Sequence, residues 1–247
     1  MRIVFLGTNG WYDSKTGNTV SLLLDTEKYY IVLDAGNGIN KLDKYLTEQK
    51  PVYIFLSHFH LDHIEGLHTL LKFNFKKGLT ICAPKNAKKI LNSILKKPFT
   101  VSLNKLPYQT SIFELPRDIS KLPLEVKALP LKHTDPVLGY RFEMDNKIVS
   151  YCTDTGYCLN AVKLADGADL LISECSYRLG EKKPDWPHLN PELAASLAKK
   201  AGVKKLLLTH FAADKYLTLK DRVTAEKSAK KIFKNSLAAK DTMIVKL

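Results

Sequence analysis

The chain has 247 residues, 45% of them hydrophobic, which suits a globular protein with a sizeable core and excludes a disordered or fibrous one. A formal charge of +13, nearly all of the excess lysine, fits a polyanionic partner such as RNA and fits a merely soluble, lysine-rich surface equally well. No apolar run approaches the ~20 residues of a membrane span, and Met1–Leu6 is broken by Gly7 too early for a signal peptide, so a cytoplasmic protein without membrane contact is expected.

Ile3–Leu6 reads as a first strand, closed by the turn signal Gly7–Gly10. Thr19–Leu24 and Tyr29–Leu33 flank Asp25–Lys28 as a hairpin. Asp34-Ala35-Gly36 then leads into a helix near Ile39–Leu46. Val52–Leu56 is β-branched and aromatic and reads as a buried strand. Ile64, Leu67, Leu70 and Leu71 recur at helical spacing, so a helix follows. Between strand and helix stands Ser57–His63, S-H-F-H-L-D-H. In an extended segment His58, His60 and Asp62 project to one side, with His63 at the helix start. Three histidines within six residues, in a chain with seven, are not explained by a capped polar turn. Four nitrogen and oxygen ligands are also more than one closed tetrahedral zinc site takes from one loop, so two metals use them better.

Leu79–Cys82 reads as a short strand, and Asn86–Lys96 as a lysine-rich helix with Ile90, Leu91 and Ile94 as its apolar stripe. Pro98–Leu131 alternates short apolar runs with prolines, a pattern of strands rather than a linker. His133 follows Leu129-Pro130-Leu131 at a strand end. Gly139–Glu143 and Lys147–Tyr151 form a second hairpin, after which comes Asp154. Asp169–Ser173 reads as a strand leading to Glu174. Asn190-Pro191-Glu192 is a strong helix start, with His188 just before it, and that helix runs to Lys200 and stops at Gly202. Lys205–Phe211 is an apolar strand carrying His210, an echo of Ile54–Phe59 that fits a fold of two related halves. Thr224–Phe233 reads as a basic helix and Thr242–Val245 as a closing strand. His68 is left over and reads as structural. The four cysteines lack C-x-x-C spacing and are expected as free thiols.

His58–His63, an H-x-H-x-D-H run after an apolar strand, resembles the signature of the metallo-β-lactamase superfamily. Phe5-Leu6-Gly7-Thr8 followed by Gly17-Asn18-Thr19 resembles the opening of its ribonuclease Z-like branch. Asp34-Ala35-Gly36 matches the superfamily's first motif, where the Asp supports the metal site without binding metal. The resemblance implies an α+β fold, a four-layer αβ/βα sandwich, with residues 1–247 as one hydrolase domain. It implies a first metal on His58, His60 and His133, a second on Asp62, His63 and His210, and Asp154 bridging. A donor set without Cys suits two divalent ions, zinc first, with manganese or iron as alternatives. Where ribonuclease Z proteins carry His-Glu-Ala-Thr, this chain has Ser173 in place of the histidine and keeps the glutamate as Glu174. The family pattern makes His188 a proton donor to the leaving group and Glu174 the residue that orients it, with Asp62 among the catalytic residues.

Hydrolysis is the implied reaction, through a water turned to hydroxide between two cations. Many ribonuclease Z enzymes insert a long Gly/Pro-rich arm between the residues matching His133 and Asp154. Here a short hairpin fills the gap. The expected substrate is therefore a small phosphodiester, a cyclic nucleotide or an RNA end, with tRNA 3′-processing as the alternative. A sulfatase or lactonase of the same fold stands behind these. So does a non-catalytic RNA-binding platform, which the complete ligand set argues against. Relatives of this kind are often dimers, which makes a homodimer possible and leaves the oligomeric state open.

Overall fold

The computed structural model describes residues 1–247. The first part of the chain supplies β1 (Arg2–Gly7), β2 (Asn9–Gly10), β3 (Ser21–Asp25), β4 (Tyr30–Leu33), β5 (Val52–Phe55), β6 (Leu79–Pro84) and β7 (Thr110–Leu115). The second part supplies β8 (Val126–Pro130), β9 (Leu138–Met144), β10 (Lys147–Cys152), β11 (Leu170–Glu174), β12 (Leu206–Thr209), β13 (Phe211–Ala212), β14 (Ser236–Ala238) and β15 (Ile244–Lys246). The α-helices are α1 (Leu61–Ile64), α2 (Ala87–Ile94), α3 (Leu159–Ala165), α4 (Pro191–Lys200) and α5 (Leu219–Lys230).

A seven-stranded sheet runs β15-β1-β3-β4-β5-β6-β7 and a six-stranded sheet runs β14-β12-β11-β10-β9-β8. The short pair β13-β2 ties one half to the other. Strand alternation explains the layering. Along β1, Ile3 and Phe5 enter the layer between the sheets, where they join Tyr140, Phe142, Tyr151 and Ile172. Val4 and Leu6 point outward, beneath Ile39, Leu42, Leu67 and Leu91. The second sheet is covered likewise, with Leu171, Leu206 and Leu208 under α3, α4 and α5. Each leucine or phenylalanine fully buried in these layers contributes about 1.5–3 kcal/mol. The result is helix, sheet, sheet, helix: the four-layer α+β sandwich the sequence led us to expect.

Two expected helices take another form. Residues Asn37–Tyr45 and Glu65–Lys72 are 3₁₀ segments, and the α-helix after the histidine motif is only the single turn α1. In a continuous α-helix the Gly66 N–H would bond within its own segment; here it donates to Ala35 O at 2.8 Å, while the Ala35 N–H donates to His63 O. The crossing is so tight that a Cβ on Gly66 would lie 2.2 Å from Gly36 O. The backbone that carries His63 is thus stitched to the loop that carries Asp34.

Smaller differences follow from local chemistry. The expected basic helix starts earlier, at Leu219, because Thr218 and Asp221 form a capping box. The expected strand Lys205–Phe211 is interrupted at His210, which has φ 51°. Helix α3 and strand β14 had no reading in the sequence. All four cysteines are free thiols; burial pushes the Cys175 thiol up to about 12. No helix is long and apolar enough to cross a membrane.

Candidate metal centre

The chemistry-bearing residues leave the sheets at the carboxyl ends of strands, the place where open α/β sheets gather ligands. Asp34 follows β4, Ser57–His63 follow β5, His133 follows β8, Asp154 follows β10, Glu174 ends β11 and His210 follows β12. The neighbours β4 and β5 run parallel, as do β10, β11 and β12, so these ends point the same way. Asp34, Asp154 and His210 all sit at positive φ, at 55°, 46° and 51°. Such backbone costs on the order of 1–3 kcal/mol per residue and persists where its surroundings hold it. Here it turns each side chain off its strand and into a shared space.

Two groups result. His58, His60, His133 and Asp154 offer ligand atoms to one point, and Asp62, His63 and His210 to another. Asp154 joins them: its Oδ2 lies 3.2 Å from His58 Nε2 and 3.3 Å from His63 Nε2, and its Oδ1 lies 3.0 Å from His210 Nδ1. Within the second group His63 Nε2 and His210 Nε2 are 3.0 Å apart, and Asp62 Oδ2 is 3.5 Å and 3.3 Å from them. Donors bound at 2.0–2.2 Å around one tetrahedral cation stand roughly 3.3 Å apart, so the spacing suits a cation between them.

The polar inventory points the same way. His58 Nε2, both ring nitrogens of His133 and Asp154 Oδ1 are buried without a hydrogen bond. Some approach one another within ion-pair distance, but not at hydrogen-bonding angles. Buried polar atoms are almost always partnered, so a cluster of orphans aimed at one space is what a metal site leaves when its ion is taken away. Burial pushes the His58 imidazole down to about 4, helped by His63, and lowers His133 as well, so both are neutral ligands at pH 7. At His63 burial works the other way from the field: the carboxylates of Asp62, Asp34 and Asp154 override it and hold the imidazole well above its usual range. That same negative field attracts a cation. The residues present therefore fit a pair of divalent metals.

The supporting contacts are specific. Asp34, fully buried, accepts the Ser57 N–H at 2.7 Å and the Tyr151 hydroxyl at 2.6 Å and bonds His63 Nδ1 at 2.9 Å. Ser176 Oγ stands 3.0 Å from His210 Nδ1. The Trp11 N–H donates to Asp62 Oδ2 at 2.7 Å. His60 Nε2 meets Asp135 Oδ2 at 2.8 Å. Gly10 packs against the His210 ring so closely that a Cβ would lie 2.4 Å from it.

Beside the metal groups, His188 Nδ1 bonds both oxygens of Glu174, at 2.9 and 3.1 Å. Glu174 has no solvent exposure and is itself pinned by the Thr155 and Ser176 N–H groups. Burial alone would push the His188 imidazole down; the Glu174 carboxylate outweighs it and lifts it to about 9. With Nδ1 engaged, Nε2 is left for the cavity that His188 lines.

The seven expected ligands, the His188–Glu174 pair and the supporting Asp34 thus come together. One detail differs: Asp62 is not in an extended register with His58 and His60 but lies in the first turn of α1 beside His63. His68 stays outside, its Nδ1 on Glu65 O. Ser57, Tyr151, Ser176, Asp135 and Gly10 were missed. Only Ser57 carried a signal, since Ser57-His58-Phe59 and Thr209-His210-Phe211 repeat one pattern.

Fold and site together define a metal-dependent hydrolase. Residues 29–211 match the profile of the beta-lactamase superfamily domain, and the chain belongs to the metallo-β-lactamase superfamily. It stands in the ribonuclease Z-like branch: it is 30% identical to the ribonuclease Z of Ligilactobacillus salivarius (strain UCC118) over 307 positions, covering 98% of this chain and 95% of that relative. Since 98% of 247 residues fill only part of those positions, about 65 of the 307 belong to the relative alone. Two crystal structures share the fold. The metallo-beta-lactamase fold protein YhfI from Bacillus subtilis has a TM-score of 0.79 at 23% identity, covering 99% of this chain and 98% of that one. Human tRNase Z, short form, has 0.74 at 22% identity, covering 100% and 99%.

Proposed function

We propose that this hydrolase is a phosphodiesterase that cleaves RNA in the manner of ribonuclease Z. The observation that carries it is the His188–Glu174 pair set against the seven-residue ligand group. An activated ester departs without a general acid, whereas the poor alkoxide leaving group of an unactivated phosphodiester benefits from one. The sequence placed a small diester first; a ribonuclease Z relative aligned along nearly the whole chain supports RNA ahead of it.

His58, His60, His133 and Asp154 would hold one divalent cation, and Asp62, His63, His210 and Asp154 the other. When bound, such a pair supplies Lewis acidity toward a phosphoryl oxygen and acidifies water, and zinc, manganese or iron all suit these donors. Asp34 fixes the His63 ring through Nδ1. Asp62, whose Oδ2 accepts the Trp11 backbone N–H, would orient the attacking water. His188 gives its Nε2 proton to the departing oxygen, and Glu174 keeps the ring turned and charged for that step.

A small phosphodiester remains the second reading. Strands β9 and β10 fill the gap between His133 and Asp154 as a plain hairpin, and no arm projects there to grip a folded RNA. Sulfatase or lactonase activity stands behind both.

The test is turnover by zinc-loaded protein of a precursor tRNA, bis(p-nitrophenyl) phosphate, p-nitrophenyl sulfate and a simple lactone, each with and without chelator. Chelator-sensitive cutting of precursor tRNA is expected. Cleavage of the diester alone moves the assignment to small phosphodiesters, and cleavage of only the sulfate or lactone overturns the phosphodiesterase reading.

A further inference from the structure

The chain has two tryptophans, and both line the mouth of the metal cavity. Trp11 is 67% exposed and Trp186 is 48% exposed. Neither is there by default. Trp11 holds φ 76°, a conformation that a bulky residue rarely adopts, while its N–H is engaged by Asp62. Its ring stands edge-on to Tyr12 at 5.1 Å. Trp186 lies nearly parallel to the His60 imidazole, 3° between planes at 6.4 Å, and edge-on to His133. Its carbonyl accepts the Tyr177 hydroxyl, which fixes the segment that carries it. The Trp186 ring therefore borders the His60 end of the ligand set, and the Trp11 backbone holds the Asp62 end.

Large rings left in water at a concave site mark a place where something flat is meant to lie. The cavity is about 300 Å³, the low end for ligand sites, with room for a phosphate and an attached group rather than a duplex. Lys183, exposed on the Trp186 segment, lines the same cavity. An aromatic face beside a cation is the pairing that single-stranded nucleotides use, base on ring and phosphate on charge.

We propose that Trp186, with Trp11 lining the same cavity, forms a stacking subsite for the nucleobase next to the scissile phosphate. This deepens the phosphodiesterase reading and rests on it for the reaction, but not for binding. Base-on-ring stacking sets an expected effect of about tenfold for loss of one ring.

Because the two rings are the chain's entire tryptophan emission, fluorescence reports on this subsite alone. Zinc-loaded protein is titrated with thymidine 5′-monophosphate and with ribose 5-phosphate, and affinities are measured by calorimetry. Saturable quenching by the nucleotide is expected, with about tenfold weaker binding of ribose 5-phosphate. Trp186→Ala should weaken the nucleotide about tenfold, and Trp186→Phe should restore most of it, which a merely misfolded variant would not allow. Equal affinity for the two ligands, no nucleotide binding, or no change in Trp186→Ala overturns the subsite. Hydrolysis separates the two readings. The kcat/KM ratio for thymidine 5′-p-nitrophenyl phosphate over ethyl p-nitrophenyl phosphate should fall about tenfold in Trp186→Ala. If neither ester is cleaved while the nucleotide binds as described, the phosphodiesterase reading falls and the subsite stands. A parallel loss on precursor tRNA assigns the ring to RNA; a loss on the small ester alone assigns it to free nucleotides.

Discussion

The two halves of the ligand set are held very differently. In the Asp62–His63–His210 half, every ligand has a second partner: Trp11 N–H on Asp62, Asp34 on His63, Ser176 on His210. Asp34 is in turn bonded by Ser57 and Tyr151, so this half is locked through several buried layers. In the His58–His60–His133 half, His58 Nδ1 is held by Ser57 Oγ at 3.0 Å, but the buried His133 has no hydrogen bond on either ring nitrogen, and the His60 side chain is 32% exposed against an Asp135 that is 60% exposed. Ligand rings fixed by buried partners lose little freedom on binding an ion, whereas loosely held rings must be ordered first. The two metals should therefore not be equivalent: the one at Asp62, His63 and His210 should bind more tightly and survive chelator longer.

Asp154 is the one residue shared by both halves, so Asp154→Ala should lose both metals, read by elemental analysis, and reduce hydrolysis to background. Retention of one full equivalent would break the bridging assignment. Next comes the acid. His188→Ala should lower cleavage of an alkyl phosphodiester by about 10²–10⁴-fold while leaving metal content intact. The same variant should lose far less on a p-nitrophenyl ester, whose leaving group departs without a proton. Similar losses on both substrates would mean that His188 positions the substrate rather than protonates it.

Asp34→Ala sharpens the comparison from the well-held side. It should weaken the tighter metal by about 10–100-fold, the usual effect of removing the partner of a metal-binding histidine. It also strands the Ser57 N–H and the Tyr151 hydroxyl, buried donors that cost about 1–3 kcal/mol each when unpaired. Urea unfolding of the metal-free protein should therefore show a loss of several kcal/mol, independent of any ion. Gly10→Ala acts on the same half by crowding. Its Cβ must displace the His210 ring, and overpacking of this kind costs about 1–3 kcal/mol.

What the sequence made legible, and what it hid, divides along the same line. The ligands themselves were readable because few residue types bind metals, and three histidines and an aspartate crowd into six positions. The strands before them were readable from apolar runs. The supports were not. Ser176, Tyr151 and Asp135 are single polar residues whose meaning arises only from which strand end lies beside which. The short 3₁₀ segments were misread as α-helices because apolar spacing cannot show that the Gly66 N–H bonds a distant carbonyl, that of Ala35. His210 looked like a residue inside a strand, although its positive φ is what turns it into the site. Helix α3 carries its buried face on Ala161, Leu164 and Ala165, too short a stripe to stand out.

Asp135→Ala removes the partner of His60, as Asp34→Ala removes that of His63. Were the bond alone what mattered, the two variants would weaken metal binding alike. The surroundings differ, however. A polar contact to a carboxylate open to water on both sides is worth about 0–1 kcal/mol, because solvent screens it and replaces the lost partner. Asp135→Ala should therefore weaken metal binding by no more than about fivefold and leave stability within about 0.5 kcal/mol. Chelator titration of the two variants side by side gives the ratio. A loss in Asp135→Ala as large as in Asp34→Ala would show that the exposed partner orders its ring as firmly as the buried one, and the proposed inequality of the two metals would go with it.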